Sequence, residues 1–436
     1  MSRAVARAAR MSRLGRGSSA PGVVAEAISP GLAQRLSERL PDGVAVVTGT
    51  NGKTTTASML RWILRDAGLE PAGNDTGANL RQGVVTSLVQ AHEDARVAVL
   101  EVDEATLAPM MPILRPRTVV LTNVFRDQLD RYGETEHVAR LLRRAAVLAD
   151  PGAAIIVNAD DPLLSQSLHD LAPITFGVRA DGEIERPQYA EPEVCLACGG
   201  PLRYVERTIV HLGSTRCDRC GWASPIPDRT ARIVSRDGCR SQGLEIDGAT
   251  VTLQTGGVHN AYNAVAAVTA AGALGVAERD AVRSLGSFRP RFGRGEQLLI
   301  DGRPVLLTLM KNPGSAEALI AELEGDPNVG AVVVAVSDAL ADGRDISWIW
   351  DVDIERLATR YPLVASGSRS RDVAVRLRYA GSRTSHTSTD PVSAVRTALN
   401  LCAPPAAAVV LATYTAMLDT RRALLGGSGH LQDVPA

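Results

Sequence analysis

The chain has 436 residues, 45% of them hydrophobic and 22% charged, which is an ordinary composition for a water-soluble protein of two or three domains. Its formal net charge of -1 argues against a general nucleic-acid binder, because such proteins carry a basic excess that neutralises phosphates. No apolar run approaches the roughly 18 residues that a membrane span needs. We therefore expect small molecules and other proteins as partners, and no nucleic acid.

The basic residues are very unevenly divided between lysine and arginine. Of the 47 lysines and arginines, only Lys53 and Lys311 are lysine. Arginine serves most surface and ion-pair roles, but a compact ammonium on a slim stem fits beneath a phosphate where a planar guanidinium does not. We therefore expect both lysines to be functional.

Residues 1–40 are predicted to form a basic, helical N-terminal segment. No apolar core of a secretory signal is present, so we expect the protein to be cytoplasmic. The simpler interpretation is a solvated, partly frayed helix, and the alternative is contact with an anionic membrane surface at its cytoplasmic face. The arginines that precede the first acidic residue, Glu26, are Arg3, Arg7, Arg10, Arg13 and Arg16.

Beyond this segment, apolar runs typical of buried strands alternate with helical patterns. This alternation predicts an α/β fold with mostly parallel sheets. A helix is predicted over residues 54–67, where Gly68 ends it. The predicted strands are residues 44–47, 97–102, 118–122, 153–157, 331–336 and 408–412.

The stretch TGTNGKTTT, residues 48–56, joins the first predicted strand to the first predicted helix. A glycine-rich turn in this position presents backbone N–H groups and the positive end of the helix to a phosphate. Lys53 adds a point charge for the outer phosphates, and the Thr54 hydroxyl suits Mg²⁺. Val47 stands where the longer form of this loop has its first glycine. The residues predicted to bind the nucleotide here are Gly49, Thr50, Asn51, Gly52, Lys53, Thr54 and Thr55.

Carboxylates follow the second long apolar strand. Glu101 lies at the carboxyl end of that strand, where open α/β sheets bind ligands, and it is predicted to hold the Mg²⁺ of the nucleotide. Asp103 and Glu104 are either further ligands or solvated loop acids. The next strand leads into residues 121–134, a charged segment typical of a site or of an ion-pair network. Its polar residues are Asn123, Arg126, Asp127, Asp130 and Arg131.

Four of the six cysteines form two Cys-x2-Cys pairs separated by 18 residues, within a predicted insert at about residues 191–227. This spacing is typical of a zinc ribbon, in which four thiolates close a tetrahedral structural site. Disulfides are the weaker alternative in a reducing cytosol, and nearby acidic residues disfavour nucleic-acid binding by the ribbon. The predicted zinc ligands are Cys195, Cys198, Cys217 and Cys220.

Two further features complete the pattern. Asn260 and Asn263 lie one helical turn apart in GVHNAYN and are predicted to face the nucleotide, although Asn260 alone would also suit a helix cap. A break near residues 287–296 predicts a boundary between a central domain, residues 41–290, and a C-terminal α/β domain, residues 291–436. Cys239 and Cys402 are expected to be buried as small apolar residues.

These motifs together resemble the Mur ligase family, the ATP-dependent amide-forming enzymes of peptidoglycan synthesis. The resemblance rests on GTNGKTTT, LEVDE, TNVFRDQLDRYGE, NADDP, GVHNAYN and GRGE. In that family the phosphate loop has a short form, so Val47 is not a defect. The four-cysteine insert, MKNPGSAEA from Met310 and DGRDISWIWDVDIE from Asp342 are similar to the MurT-type ligase subunits of lipid II isoglutaminyl synthase.

The resemblance implies an acyl-phosphate mechanism. ATP would phosphorylate the α-carboxylate of D-glutamate in the lipid II stem peptide, and ammonia would then displace phosphate to give D-isoglutamine. It implies that Lys53 and Thr54 hold phosphates and Mg²⁺, that Glu101 holds Mg²⁺, and that Asn263 faces the nucleoside. Many Mur ligases also use a carbamylated lysine, but no lysine lies between Lys53 and Lys311.

The resemblance also implies a partner, since nothing in this chain resembles a glutaminase. A GatD-type glutamine amidotransferase subunit would supply ammonia, and Asp345 would complete its Cys-His pair, whereas without the resemblance Asp345 suits a helix cap. Lys311 would act at the acyl phosphate from the C-terminal domain. The alternatives are a ligase of the Mur or folylpolyglutamate synthase kind that adds an amino acid, and a non-catalytic scaffold for a glutaminase.

Overall fold

The computed structural model describes residues 20–74, 78–127, 134–179, 194–290, 293–324, 326–382 and 385–426. Within these residues the strands form three sheets, of nine, six and two strands. The two large sheets follow one another along the chain and are each covered by helices, and the small one is a hairpin between two strands of the first.

The nine-stranded sheet contains nine of the eleven strands that the structure describes between residues 43 and 253. They are β1 (Gly43–Thr48), β2 (Pro71–Gly73), β3 (Val97–Glu101), β4 (Thr118–Leu121), β5 (Ala154–Asn158), β6 (Ile174–Arg179), β9 (Arg229–Asp237), β10 (Ser241–Ile246) and β11 (Ala249–Leu253). Their order across the sheet is β11-β10-β9-β6-β5-β4-β1-β3-β2. The strands β2, β3, β1, β4, β5, β6 and β9 each pair in parallel with the next, and β10 and β11 add an antiparallel edge.

Helices cover both faces of this sheet, which is why its central strands are continuous apolar runs rather than alternating patterns. One face packs against α3, α8 and α9, and the other against the remaining six helices. The helices are α1 (Ala20–Ile28), α2 (Leu32–Ser37), α3 (Lys53–Asp66), α4 (Arg81–Gln90), α5 (Glu104–Leu114), α6 (Thr135–Val147), α7 (Pro162–Leu168), α8 (Val258–Ala273) and α9 (Glu278–Ser284).

The four cysteines belong to a hairpin that is inserted between β6 and β9. Its strands are β7 (Leu202–Ile209) and β8 (Leu212–Cys217), and they pair in antiparallel register from Leu202 opposite Cys217 to Ile209 opposite Leu212. The cysteines therefore lie at the open end of the hairpin. Its closed end packs into the core of the nine-stranded sheet.

The second large sheet has six strands in the order β12-β13-β17-β14-β15-β16. Only β12 is antiparallel to its neighbour. The strands are β12 (Arg294–Ile300), β13 (Arg303–Leu309), β14 (Val329–Ala335), β15 (Leu363–Ser366), β16 (Ser385–Ser388) and β17 (Ala407–Ala412). The helices around it are α10 (Pro313–Leu323), α11 (Glu355–Ala358), α12 (Ser370–Tyr379), α13 (Pro391–Leu401) and α14 (Tyr414–Gly426).

The predicted α/β class and the six predicted strands are confirmed, with ends that differ by one or two residues. The strands change sheet between residues 253 and 294, but the domain limits at 40, 41, 290 and 291 stay a prediction. The N-terminal segment forms two helices, α1 and α2, separated by residues 29–31, and its arginine-rich part lies outside the described residues. In the described ranges, no helix is long and apolar enough to cross a membrane.

Candidate active site

The phosphate-loop sequence lies at the carboxyl end of β1, the third strand from the β2 edge of the nine-stranded sheet. Val47 is fully buried in β1, where it pairs with Glu101 of β3 on one side and Val120 of β4 on the other. The strand order reverses direction at β1, so a crevice opens there between the two halves of the sheet. Residue 47 needs no glycine because it is still part of the strand.

The two glycines of the loop have both conformational and steric reasons to be glycine. Gly49 has a φ of 119°, and a Cβ on it would lie 2.4 Å from the Thr122 hydroxyl. Gly52 has a φ of 83°, and a Cβ on it would lie 2.2 Å from Oδ1 of Asn263. Any other residue at these positions would strain the backbone and displace a neighbouring segment.

The loop is held open by the segment that follows β4. Backbone N–H groups of Thr50 and Asn51 donate to the carbonyl and the side-chain Oδ1 of Asn123, each at 2.8 Å. Helix α3 then begins at Lys53, and no described side chain caps its first turn. Its N–H groups and its positive end therefore face the crevice, as an anion site requires.

Lys53 is buried at the centre of a group of carboxylates. Its ammonium donates to the carbonyls of Gly49 and Thr50 and forms an ion pair of 3.2 Å with Glu104. Burial would lower the pKa of Lys53, but Glu104, Glu101 and other acids around it outweigh that effect and raise the pKa. Lys53 therefore stays a cation in the buried site.

Thr54 and Glu101 are brought into direct contact, although they are far apart in sequence. The Thr54 hydroxyl donates to Oε2 of Glu101 at 2.5 Å, and Asn79 donates to Oε1 of the same carboxylate at 3.1 Å. Both Thr54 and Glu101 are buried. A hydroxyl and a carboxylate oxygen on one side of a phosphate loop form a suitable ligand pair for Mg²⁺.

The acids that follow Glu101 have different positions. Asp103 caps helix α5 by accepting from the N–H of Ala105 at 3.1 Å, whereas Glu104 turns towards Lys53. The sequence left the roles of both acids open. Only the packing of α5 against the loop shows that Asp103 caps the helix and that Glu104 pairs with Lys53. The sequence LEVDE contained the signal, but it did not show which acid faces the lysine.

Asn260 and Asn263 lie in the first turns of α8, beside the phosphate loop. Asn263 Oδ1 accepts from the Thr56 hydroxyl at 3.2 Å, and its Nδ2 donates to Asn260 Oδ1 at 3.2 Å. Asn260 in turn donates to the Gly256 carbonyl at 2.7 Å. Gly257 occupies the cap position of α8, so Asn260 is not a helix cap.

The second sheet completes the crevice from the opposite side. The Lys311 ammonium lies 2.7 Å from Oδ2 of Asp127, and Asn312 donates to Oδ1 of Asn51 at 3.1 Å. These contacts join the loop before α10 to both the phosphate loop and the charged segment after β4. Two members of that segment, Asp130 and Arg131, lie outside the described residues.

The crevice encloses a cavity of about 400 Å³ that is lined by residues of both sheets. Lys53, Glu101 and Lys311 all face it. Arg294, from the GRGE motif, also lines it; burial lowers the pKa of this guanidinium, while Glu101 opposes that shift. Sequence reasoning assigned no role to Arg294, although its motif was noticed.

The four cysteine sulfurs lie within 4.8 Å of one another. The closest pairs are Cys195 with Cys220 at 3.7 Å and Cys198 with Cys217 at 3.5 Å, too long for disulfide bonds. A tetrahedron with Zn–S bonds of about 2.3 Å has sulfur-sulfur edges of about 3.8 Å, so the four thiols fit a metal ion of this kind. Cys239 and Cys402 are buried elsewhere, as predicted.

Asp345 lies outside this cavity, on an exposed turn before the short helix Ser347–Trp350. Its Oδ1 accepts from the backbone N–H of Ser347 at 2.8 Å, and this hydrogen bond lowers the pKa of Asp345. This hydrogen bond closes a local turn, and Asp345 is not the helix cap that its spacing alone suggested, because Ile346 occupies the cap position of the short helix. Asp342, three residues earlier, instead faces the cavity and accepts from the N–H of Thr415 at 3.0 Å.

The fold and the phosphate site define the class of protein. Two family models match the chain, the Mur ligase middle domain over residues 47–191 and the MurT ligase C-terminal domain over residues 309–417. The solved structure of a pseudomurein peptide ligase type C from Methanothermus fervidus has the same fold. It superposes with a TM-score of 0.71 at 21% identity, covering 90% of this chain and 80% of that one. The fold is that of the Mur-type ligases.

Closer relatives narrow the assignment. The MurT subunit of the glutamine-hydrolysing lipid II isoglutaminyl synthase of Streptococcus pneumoniae is 35% identical over 425 residues, 95% of this chain and 94% of that protein. The MurT subunit of Staphylococcus aureus is 29% identical over 84% of this chain and 83% of that protein. The chain belongs to the MurT family of Mur ligases.

Proposed function

We propose that this chain is the ligase subunit of a lipid II isoglutaminyl synthase, an ATP-dependent carbon-nitrogen ligase. It amidates the α-carboxylate of D-glutamate in the lipid II stem peptide, and a partner subunit hydrolyses glutamine to supply the ammonia. The observation that carries this proposal is the 35% identity to the Streptococcus pneumoniae MurT subunit over 95% of the chain.

The chemistry requires activation of a carboxylate. A carboxylate is inert to ammonia until one of its oxygens becomes a leaving group, so the γ-phosphoryl group of ATP is transferred to a carboxylate oxygen, releasing ADP. Ammonia then attacks the acyl carbon, phosphate leaves with the electrons of the broken C–O bond, and the surplus proton passes to solvent. Fixed positive charge around the transferring group stabilises both steps.

The residues at the end of β1 suit the phosphoryl-transfer step. We assign Lys53 to the outer phosphates, together with the backbone of Gly49, Thr50, Asn51, Gly52 and Thr55. We assign Thr54 and Glu101 to Mg²⁺, because their oxygens already lie 2.5 Å apart at the loop. The metal would neutralise phosphate charge when bound. Asn263 and Asn260 line the cavity beside this loop and are assigned to the nucleoside.

We assign Lys311 to the acyl phosphate. Its ammonium faces the same cavity as Lys53 but is carried by the six-stranded sheet, and in the structure Asp127 neutralises it at 2.7 Å. An anionic acyl phosphate would compete with Asp127 for this ammonium. Such a group, which approaches the phosphate from the opposite side, helps to orient the reacting carboxylate.

We propose that the partner is a GatD-type glutamine amidotransferase and that Asp345 orients the histidine of its Cys-His pair. An exposed carboxylate with a lowered pKa is ionised at neutral pH and is accessible to a second chain. Large apolar side chains are exposed nearby in sequence, at Leu340 and Trp350. These are suitable contacts for a partner surface.

We propose that zinc occupies the four-cysteine cluster. Each Cys-x2-Cys turn has a glycine with positive φ four residues after its first cysteine, Gly199 at 66° and Gly221 at 78°. The two turns are thus equivalent, as in a ribbon that closes around one ion. Four thiolates leave no open position for a substrate, so this metal would be structural. Membrane contact by the arginine-rich N-terminus stays a prediction.

The test is amidation of lipid II by the purified subunits. The chain together with its glutaminase partner is expected to form D-isoglutamine from ATP and glutamine, and the chain alone is expected to use only free ammonia. Product would be followed by mass spectrometry of the stem peptide. Equal glutamine-dependent activity without the partner, or incorporation of an amino acid in place of ammonia, would contradict the proposal.

A further inference from the structure

The cysteine-bearing hairpin extends from the cysteine cluster to the ligase cavity. Strand β8 contains Cys217 at one end and Leu212 at the other, which are five residues apart and so about 17 Å apart in an extended strand. Ile209 and Leu212 at the closed end line the cavity that contains Lys53 and Lys311. The insert therefore forms part of the wall of the ligase site.

His211, at the tip of the hairpin, is one of several residues through which the insert contacts the rest of the protein; Gly213, for example, donates its N–H to the Asp160 carbonyl at 2.7 Å. It is buried, and its ring lies against the ring of Phe125 with centroids 4.3 Å apart and planes at 62°. Its Nε2 has no hydrogen-bond partner among the described residues and lies 3.7 Å from Oδ2 of Asp161. The Tyr204 hydroxyl fixes the tip by donating to the His211 carbonyl at 2.8 Å.

Phe125 contacts both halves of the ligase site. Its backbone N–H donates to the hydroxyl of Thr50 in the phosphate loop at 3.1 Å. Its ring packs against Gly314, where an added Cβ would lie only 2.1 Å from Cδ1 of the ring. Gly314 lies three residues after Lys311, so the position of this ring affects the loop that carries Lys311.

A second, small cavity lies at this junction. Its volume is about 40 Å³, and Phe125, Val210, His211, Pro313 and Gly314 are among the residues that line it. The tip, the Phe125 ring and the start of α10 thus meet with little free space between them. A side chain removed at His211 would leave room for Phe125 to move.

We infer that the hairpin tip is a positioning element of the ligase site. His211 supports Phe125, and Phe125 fixes the position of the phosphate loop relative to the loop that carries Lys311. The four-cysteine cluster anchors the other end of the hairpin. His211 acts through Phe125, and neither the phosphate loop nor Lys311 lines the small cavity that His211 shares with that ring. The inference rests on the proposed function where it is tested by ligation kinetics, but not where it is tested by nucleotide binding.

The test compares His211→Ala with Val205→Ala in the complex with the partner subunit. Val205 lies on the same hairpin with 66% of its surface exposed, so its truncation serves as the control. We expect His211→Ala to keep its zinc and its unfolding temperature within a few degrees, but to weaken binding of a fluorescent ADP analogue about 5- to 10-fold. The KM for ATP in ammonia-dependent ligation should rise by the same factor, with a smaller change in kcat.

Two further variants separate positioning from folding. His211→Phe retains a ring against Phe125 and should restore ADP affinity to within about 2-fold of the wild type, whereas His211→Leu, which fills volume without a ring, should not. The leucine variant decides the question if the alanine variant is insoluble. Wild-type ADP affinity in His211→Leu, or failure of His211→Phe to restore it, would overturn the inference.

Removal of zinc tests whether the four-cysteine cluster anchors the hairpin. A chelator that empties the cluster, verified by metal analysis, should weaken binding of the same ADP analogue by a similar factor. Unchanged affinity after loss of zinc would refute the anchor. If the wild-type complex fails to ligate, the proposed function fails, while the ADP measurements still decide whether the tip positions the loop.

Discussion

The ligase cavity and the Asp345 turn differ in how completely this chain satisfies their charged groups. In the cavity, Lys53 is paired with Glu104 and Lys311 with Asp127, and the first pair is buried. On the turn, the Asp345 carboxylate is exposed and accepts a hydrogen bond from the backbone N–H of Ser347, two residues away.

This difference indicates where each half of the proposed reaction takes place. Buried charges keep their pairing and their protonation state without help from a second protein, so the ligase chemistry belongs to this chain. An exposed carboxylate that accepts from a backbone N–H of its own turn is available to complete a site in another chain. Two changes, at Lys53 and at Asp345, test that division in order of expected effect, and a third, at Glu322, tests the pH dependence of stability.

The largest effect is expected for Lys53→Met, which removes the ammonium but keeps a similar length and apolar stem. Ligation should fall on the order of 1,000-fold with either ammonia or glutamine as nitrogen source, because charge on the transferring phosphoryl group is no longer neutralised. Glutaminase activity of the complex should be retained. Product formation and glutamate release, measured separately, provide the two readouts.

Lys311→Met is the matched control for that change, since it removes the other lysine of the chain. Lys311 is more exposed and pairs at the surface of the same cavity, so ligation should fall less, about 10- to 100-fold. An equal loss at both lysines would contradict the assignment of the phosphates to Lys53.

The second effect is expected for Asp345→Asn, which keeps the oxygen that accepts from Ser347 but removes the charge. Glutamine-dependent amidation should fall about 100-fold, while ammonia-dependent amidation should stay within about 2-fold of the wild type. Assays with glutamine and with ammonia, in the same preparation of the complex, measure the two amidation rates separately.

Asp338→Asn provides the comparison for Asp345, because Asp338 is half-buried and accepts from the Ser368 hydroxyl at 2.9 Å. It should leave both reactions near the wild-type rate. If Asp345→Asn lowers the ammonia-dependent rate as much as the glutamine-dependent one, Asp345 has a folding or ligase role instead.

The smallest effect on activity is expected at Glu322, an acid of α10 whose side chain is 11% exposed. Burial, with repulsion from Asp326, raises the pKa of Glu322 to about 8. Its neighbour His259, 3.7 Å away, does not compensate, because burial lowers the pKa of that imidazole to about 4 and leaves it neutral. Glu322 is therefore protonated in the folded chain at pH 7.

The folded state binds the proton of the Glu322 carboxyl more tightly than the unfolded state does. The free energy of unfolding that this proton contributes is therefore fully present below about pH 4.5 and is lost as the pH rises to about 8. Over that interval the wild type should lose up to about 1.4 kcal/mol per pH unit relative to Glu322→Gln, which stays neutral. Urea unfolding at pH 6 and pH 8 measures this difference. The surface variant Glu70→Gln should not gain stability over the wild type as the pH rises. If the free energy of unfolding of the wild type and of Glu322→Gln changed equally between the two pH values, the protonated state of Glu322 would be contradicted.

The sequence predicted those parts of the site that depend on short spacing. The Cys-x2-Cys pairs, the glycines around Lys53 and the carboxylate at the end of β3 were recognisable because each geometry is set within a few residues. Three contacts were not predicted: the ion pair of Lys53 with Glu104, the ion pair of Lys311 with Asp127, and the packing of His211 against Phe125. Each depends on which strands and helices pack side by side, and residue spacing does not encode that directly.

By itself, the sequence determined the α/β class, the phosphate loop and the four-thiol cluster, because hydrophobic periodicity and local backbone geometry are properties of short segments. Only the tertiary structure decided that the cysteine-bearing hairpin reaches the ligase cavity and that Lys311 meets Asp127, residues 184 positions apart. It also decided that Asp345 stays at the surface. Such contacts arise when buried faces of distant elements pack together, and the residues that meet are chosen by the whole fold.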